Sequence, residues 1–438
     1  MDELVLWGAR LLDGTGAPPR ERVAVTVRDG RVATVEGATG PTPDGAIDLE
    51  GRTLMPGLVD IHVHLLSDIS RAPGFGPAPE LHGELPRPRE IGHYVLAKTA
   101  QALLEAGVTT VRDVGSMDDE ALALRTAVEL DLLAGPRILT CARIVSATSP
   151  GGRVFGSMYR EADGADDVRK AVREQMRRGA DFLKVMATGA RSVVREDPEP
   201  AQLTRDELRA LVDEAHRLGY RVAAHAEGLA GCRLAVEEGV DTIEHGLALH
   251  REPALLERMA REAIVLVPTL TTFHDLAERF TEHFPVTLVD QVRRQLDEAY
   301  LTLTAARSAG VTLAMGFDSG PPGANATELV RMVEGGLPAA DALVAATSHG
   351  GKALGLDDVG VLRPGAVADL LVVDGDPLAK PRLLLDRERI WLVCRDGLPV
   401  AGRALDGSGP AWARRRVVAW GEGPFASPCR DDPKCATM

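Results

Sequence analysis

The sequence predicts an α/β protein, a (β/α)8 TIM barrel with a small β-sandwich formed from both termini. Three observations lead there. The first 56 residues and the stretch after 356 are β-rich, with runs such as "RVAVTVRDGRVATVEG" and "ADLLVVDGDP" broken by Asp-Gly and Glu-Gly turns. Between them, short apolar runs (58–63, 108–112, 137–141, 181–186, 221–225, 240–244, 263–267 and 311–317) alternate with helix-like stretches. That alternation occupies roughly 290 residues, against about 250 for a typical barrel. A doubly wound open sheet is the competing arrangement, but no G-x-G-x-x-G follows the first strand.

The expected boundaries follow from these textures. Residues 1–56 and 356–405 would form the two parts of the sandwich, 57–355 the barrel, and 406–438 a C-terminal tail. Within the barrel region, "LTRDELRALVDEAHRLGY" predicts a helix: Thr204 and Glu207 have the spacing of a capping box. Leu208, Leu211, Val212, Ala215 and Leu218 form one apolar stripe, and Gly219 supplies a stop. Asn325 and Glu328 repeat the cap spacing ahead of "ATELVRMVEGG". Residues 66–92 are rich in Pro and Gly and long for a connection, which suggests a lid after the first barrel strand.

Composition narrows the partners. A net charge of −14 over 438 residues disfavours nucleic acid and anionic membrane. No apolar run approaches the roughly 18 residues of a membrane span, and "MDELVLWGARLLDG" lacks a basic n-region, so a cytoplasmic protein is expected. Five cysteines do not make a disulfide framework, and Cys429 and Cys435 are expected as free thiols in the tail. A small-molecule substrate is the expected partner; a homo-oligomer is compatible with the sequence.

The chemistry lies at the ends of the apolar runs, where a barrel places its active site. The first run ends in "DIHVH". Side chains on a strand alternate with period two, so His62 and His64 point together, and two imidazoles suit one divalent metal. Later runs end in His225 ("AAHAEG"), His245 ("TIEHG") and Asp318 ("MGFDSG"). Lys184 lies inside "DFLKVMATG", between Leu183 and Val185, where an unpaired ammonium is costly to bury. Its amine snorkels, pairs with an acid, or has reacted with CO2 to give a carbamate able to bridge two cations. Arg112 and Asp113 in "TTVRDVG" read as an ion pair or as pocket elements. Arg153 and Arg191 suit a substrate carboxylate, and Tyr159 and His274 lie in segments able to reach the pocket.

Taken in order, "GLVDIHVHL", "LKVMATG", "AAHAEG", "TIEHG" and "MGFDSG", followed by "VGVLRPGAVADLLVVDGDPL", resemble the amidohydrolase superfamily. "KVMATG" and "IEHG" are similar to its imidazolonepropionase-like and prolidase-like branch of metal-dependent Xaa-Pro dipeptidases and related carboxypeptidases. The resemblance extends to about residue 403. It implies two divalent metal ions, expected to be zinc. His62, His64 and Asp318 would hold one, and His225 and His245 the other, with carbamylated Lys184 as the bridge. It further implies a hydroxide shared by the metals as nucleophile and Asp318 as general base, then acid.

Three departures touch the expected pocket rather than the metal ligands. Arg153 stands in "PGGRVFG" where Gly-Gly-His is common, Glu227 in "HAEG" where His-Ala-His-Gly is common, and Phe317 precedes Asp318 where Thr is usual. The reaction expected is hydrolysis of the amide C–N bond of a dipeptide or N-acyl amino acid. Cyclic amide hydrolysis or deamination, and lactone or organophosphate hydrolysis, are the alternatives. A non-catalytic scaffold is a remote one, since every expected ligand position is filled.

Overall fold

The computed structural model describes residues 3–66, 90–191, 193, 195–279, 281 and 286–405. The segment expected to form a lid lies almost wholly outside these residues, as do Cys429, Cys435 and the rest of the tail.

The N-terminal region contributes β1 (Leu4–Leu11), β2 (Arg20–Arg28), β3 (Arg31–Gly37), β4 (Ile47–Asp48) and β5 (Thr53–Pro56). The parallel-strand region starts with β6 (Leu58–Val63), α1 (Ile91–Glu105), β7 (Val108–Asp113), α2 (Glu120–Glu129), β8 (Arg137–Thr140) and β9 (Ile144–Ser146). It continues with α3 (Pro150–Phe155), β10 (Tyr159–Glu161), α4 (Ala165–Arg178), β11 (Leu183–Met186), α5 (Arg205–Arg217), β12 (Val222–Ala226) and α6 (Leu229–Glu238). Next come β13 (Thr242–His245), α7 (Pro253–Glu262), β14 (Val265–Val267), α8 (Leu270–His274), α9 (Val286–Ser308), α10 (Ala326–Glu334), α11 (Ala339–Ala345) and α12 (Ser348–Ala353). The chain returns through β15 (Leu370–Val373), β16 (Ile390–Arg395) and β17 (Leu398–Ala401).

The two chain ends meet in one eight-stranded sheet, ordered β17-β16-β15-β5-β1-β2-β3 with β4 on β1. The join is the antiparallel pairing of β15 with β5, Leu371 opposite Met55. Leu6, Val25, Leu54, Leu370 and Leu392 bury the apolar side chains of that sheet in one cluster. β6, β7 and β8 form one parallel sheet and β10-β9-β11-β12-β13-β14 another. Parallel strands with intervening helices make this region TIM-barrel-like. All side chains of β6, β7, β11, β12 and β13 are buried, which is why these strands read as apolar runs rather than as alternating ones.

Two runs differ from the sequence reading. The third breaks after Thr140, where Ala142 takes a positive φ of 59°, so that β8 and β9 are separate strands. The eighth, 311–317, is not a regular strand: Leu313 makes a single parallel bridge with Leu266. Its backbone is nonetheless tied on both sides. Leu266 N donates to Thr312 O and Ala314 N to Leu266 O, both at 3.0 Å, while Ile61 N donates to Met315 O at 2.9 Å. Gly316 permits this approach, because a Cβ there would lie 2.6 Å from His62 Cβ and 2.4 Å from Val267 Cγ1.

The capping box on α5 forms, with Thr204 accepting from Glu207 N and Glu207 accepting from Thr204 N at 2.8 Å. A cap of this kind stabilises by about 1 kcal/mol. The similar spacing at Asn325 and Glu328 does not form a cap. Asn325 Nδ2 donates instead to Asp60 at 2.8 Å, and Glu328 accepts from Leu270 N and Thr271 N. Both side chains are buried, so tertiary partners outcompete the local turn.

Candidate metal centre

Strand register gathers the polar strand ends. Met186 lies opposite His225 and Ala226 opposite His245, so Lys184 and the two histidines share one end of the sheet. His62 is held from the opposite side: Asp60 accepts from the backbone N–H of His62 (3.0 Å) and of Phe317 (3.2 Å), and Asp318 N donates to His62 O at 2.9 Å. β6 and the eighth run are thereby locked together where His62 and Asp318 meet. His245 and Asp318 have positive φ values of 73° and 44°, and Thr269, which bonds His245, has 47°. Strained backbone at non-glycine residues gathers at this site, as functional sites tend to collect it.

Hydrogen bonds assign the tautomers. His62 Nδ1 lies 2.7 Å from Glu244 Oε2, and His64 Nδ1 lies 2.7 Å from Gly115 O. A carbonyl and a carboxylate only accept, so both Nδ1 atoms carry the proton and both Nε2 atoms carry lone pairs. Those lone pairs lie 3.6 and 3.5 Å from Asp318 Oδ1, which is buried and has no hydrogen-bond partner. The three ligand atoms all lie within 4.8 Å of one another. A cation held among these atoms would satisfy both imidazole lone pairs and the Asp318 oxygen together, and a His2Asp set of nitrogen and oxygen donors suits a divalent metal.

A second group sits alongside. His225 Nε2 bonds Gly189 O at 3.1 Å, so its Nδ1 carries a lone pair, and that atom is 2.9 Å from His245 Nε2. Lys184 Nζ is buried and has no hydrogen-bond partner among the described residues. His225, His245 and Lys184 line the same cleft as His62, His64 and Asp318. Burial pushes the His64 imidazole down to about 4 and the His225 imidazole to about 3, and holds His62 and His245 well below the ordinary value. All four are therefore neutral, the form that binds metal. Burial also lowers the Lys184 ammonium to about 8 and raises the Asp318 carboxyl well above the carboxylate range.

In the sequence Glu244 is passed over, and Arg112 is read only as a partner of Asp113 or as a pocket element. Glu244 accepts from His62, from Thr242 and from Arg112 Nη2 (2.7 Å), and Arg112 Nε donates to Ile61 O at 2.5 Å. Arg112 and Asp113 do not form a pair with each other, since neighbours on a strand face opposite ways. Asp113 accepts from Leu65 N and Thr140 Oγ1 instead.

The cleft over these groups is lined by His62, His64, Lys184, His225, His245 and Asp318. Tyr159, Arg191 and Glu227 line it too, with Ile144, Phe155, Met158, Met186, Phe273 and Leu276 as an apolar wall. Arg153 and His274 are not brought to it. Arg153 is exposed on α3, and His274 turns away to Tyr300 Oη (2.5 Å) and Glu278 (3.2 Å).

The chain resembles characterised proteins over most of its length. An ochratoxinase of Aspergillus niger is 28% identical over 423 residues, covering 90% of this chain and 85% of its own. An imidazolonepropionase of Paracoccus denitrificans is 27% identical over 388 residues, covering 81% and 88%. Among solved structures, a Xaa-Pro dipeptidase with methionine bound in its active site matches with a TM-score of 0.82 at 28% identity, over 92% of this chain and 100% of its own. A prolidase complexed with N-methylphosphonate-L-proline matches with a TM-score of 0.80 at 30% identity, again over 92% and 100%. The amidohydrolase family pattern matches residues 53–400. With that match spanning most of the chain, the protein belongs to the amidohydrolase superfamily, in its imidazolonepropionase-like and prolidase-like branch.

Proposed function

We propose that this protein hydrolyses the amide C–N bond of a dipeptide or N-acyl amino acid at a centre for two divalent metal ions, with zinc as the expected metal. The observation that carries the reading is the convergence of the Nε2 lone pairs of His62 and His64 on Asp318, beside the ring nitrogens of His225 and His245 and a buried Lys184 Nζ that has no hydrogen-bond partner among the described residues. Relatives named as a dipeptidase, a prolidase and an ochratoxinase support the choice of bond. In the same reading the eighth run closes the barrel between β14 and β6, the terminal sheet folds into a sandwich, and the protein is cytoplasmic. Among the described residues no helix is long and apolar enough to cross a membrane.

His62, His64 and Asp318 would hold one cation, and His225 and His245 the other, with a carbamate on Lys184 as the bridge. The lysine's lowered basicity favours that modification, because only the free amine adds to CO2, giving the carbamate and one proton. Bound cations at these positions supply acidity to a water and polarise a carbonyl. Asp318, whose carboxyl lines the cleft and which a neighbouring cation would hold as the anion, would take the proton of the attacking water and return it to the departing nitrogen. Glu244, through His62, and Gly115, through His64, keep the imidazoles in the tautomer this requires.

The test is metal content together with turnover for the wild type and Lys184→Ala. Two metals per chain, falling to about one or fewer in the variant along with loss of hydrolysis, is expected. A metal-free wild type fully active on N-acyl amino acids would overturn the proposal.

A further inference from the structure

Arg191 has no part in the metal chemistry, yet it lines the same cleft and its environment is unusual. Its side chain is 1% exposed. Nε donates to Glu227 Oε2 at 2.6 Å, and the backbone N–H of Arg191 donates to Glu227 Oε1 at 3.2 Å. Both terminal nitrogens, Nη1 and Nη2, are buried without a hydrogen-bond partner among the described residues. Glu227 has committed both oxygens to Arg191, and its Oε1 is also 3.5 Å from His225 Nε2. Neither oxygen of Glu227 bonds Nη1 or Nη2.

A purely structural role does not account for this arrangement. Tying the segment after β11 to the end of β12 needs only the two bonds that Nε and the backbone already make. The remaining N–H donors of the guanidinium are a liability there, since each buried donor without an acceptor costs roughly 1–3 kcal/mol. They make sense as a preformed receptor. Two coplanar donors on a delocalised cation match a planar bidentate acceptor, which is the geometry of a carboxylate. The salt bridge to Glu227 keeps the guanidinium from rotating toward the metal ligands or toward solvent. In the same cleft, Ile144, Phe155, Met158, Phe273 and Leu276 offer a surface suited to an apolar group.

Building on the amide-hydrolase reading, the geometry points to Arg191 as the residue that selects substrates bearing a free carboxylate, with Glu227 as its positioning residue. The substrate class is then an acidic one: an amide joined to an amino acid whose carboxylate docks on Nη1 and Nη2, with an apolar substituent against the apolar lining of the cleft. The pair also explains one of the departures of this sequence. Glu227 replaces the histidine common after His225, and the buried Arg191 is the partner that makes a carboxylate tolerable there.

A matched pair of probes tests this on the metal-loaded protein: N-benzoyl-phenylalanine and its carboxamide, N-benzoyl-phenylalaninamide. Dissociation constants come from calorimetry, with kcat and KM where turnover occurs. The wild type is expected to prefer the acid by roughly 10- to 100-fold, the worth of a charge-assisted bond. Arg191→Gln should abolish the preference, and Arg191→Lys should recover only part of it, since an ammonium lacks the fork. Glu227→Gln should lower the preference through the affinity for the acid, with metal content unchanged. Equal binding of acid and carboxamide by the wild type, or a preference that survives in Arg191→Gln, overturns the proposal. Preferential binding of the acid without turnover of either probe would support the anchor and count against the hydrolase reading alone.

Discussion

His62 and Glu244 form a buried pair, Nδ1 to Oε2 at 2.7 Å, and the other oxygen of Glu244 is 2.7 Å from Arg112 Nη2. All three side chains lie at 4% exposure or less. Burial pushes the Glu244 carboxyl up, but Arg112 and Lys184 outweigh it and hold the group below its ordinary value, so it is a carboxylate. An anion at this place does two things. It orients His62 with its Nε2 lone pair toward Asp318, and it neutralises the Arg112 cation in the interior.

Glu244→Gln tests the first role. The amide oxygen can still accept from His62, but the amide NH2 then faces either Arg112 or the imidazole, and Arg112 loses its counter-charge. Metal affinity is expected to fall by roughly 10- to 100-fold, as for other carboxylates behind metal-binding histidines. Stability should fall by about 3–5 kcal/mol, because one member of a buried ion pair is left alone. Chelator competition and urea unfolding measure the two effects. Unchanged metal affinity would mean that Glu244 only balances charge.

The same pair shows what the sequence does and does not disclose. Lys184 stands out because a charged residue sits within an apolar strand, and the four histidines stand out because they end such strands. Arg112 in "TTVRDVG" and Glu244 in "TIEHG" carry the same signal as Lys184, one charge in a buried run. Each is readable as costly; that the two neutralise each other across 132 positions is a fact of strand packing. Arg153 and Arg191 show the complementary limit. Both follow a strand in a short loop, and local sequence does not distinguish an arginine exposed on a six-residue helix from one buried against Glu227. Asn325 and Glu328 mimic a capping box in spacing, but Asp60 and the backbone of Leu270 and Thr271 claim their side chains first.

Gly316 separates close packing from metal chemistry. A Cβ at this residue would sit well inside contact distance of His62 Cβ and Val267 Cγ1, and His62 is fixed by Asp60 and Glu244. Gly316→Ala therefore displaces a ligand-bearing strand rather than a flexible tip. A loss of about 1–3 kcal/mol is expected, as for other overpacked core positions, together with reduced metal content. Gly219→Ala serves as the comparison: it has φ +83° at the end of α5 and nothing within 4 Å of the added Cβ. It should cost about 1 kcal/mol of backbone strain and keep its metal. Equal metal content in the two variants would refute a specific effect at His62.

Glu328 predicts a pH dependence of stability away from the metal ligands. Its carboxyl accepts from Leu270 N (2.8 Å), Thr271 N (2.7 Å) and Thr271 Oγ1 (2.7 Å), anchoring the start of α8 to α10. Burial raises it to about 7 from an ordinary 4.5, more than those three bonds lower it. A carboxyl raised on folding binds its proton more tightly in the folded state. Its contribution to stability is complete below about pH 4.5 and is lost as pH rises through about 7. Asp60 and Asp113, also raised to about 7 by burial, titrate in the same window, so the wild-type curve alone does not isolate Glu328. The difference between wild type and Glu328→Gln does, because the amide does not titrate. The stability advantage of the wild type should shrink by about 1.4 kcal/mol per pH unit between about pH 5 and about pH 7, and then level off. Urea unfolding across that range gives the two curves. Curves that stay parallel would show that Glu328 remains ionised in the folded protein throughout, held as an anion by Leu270 and Thr271 despite its burial.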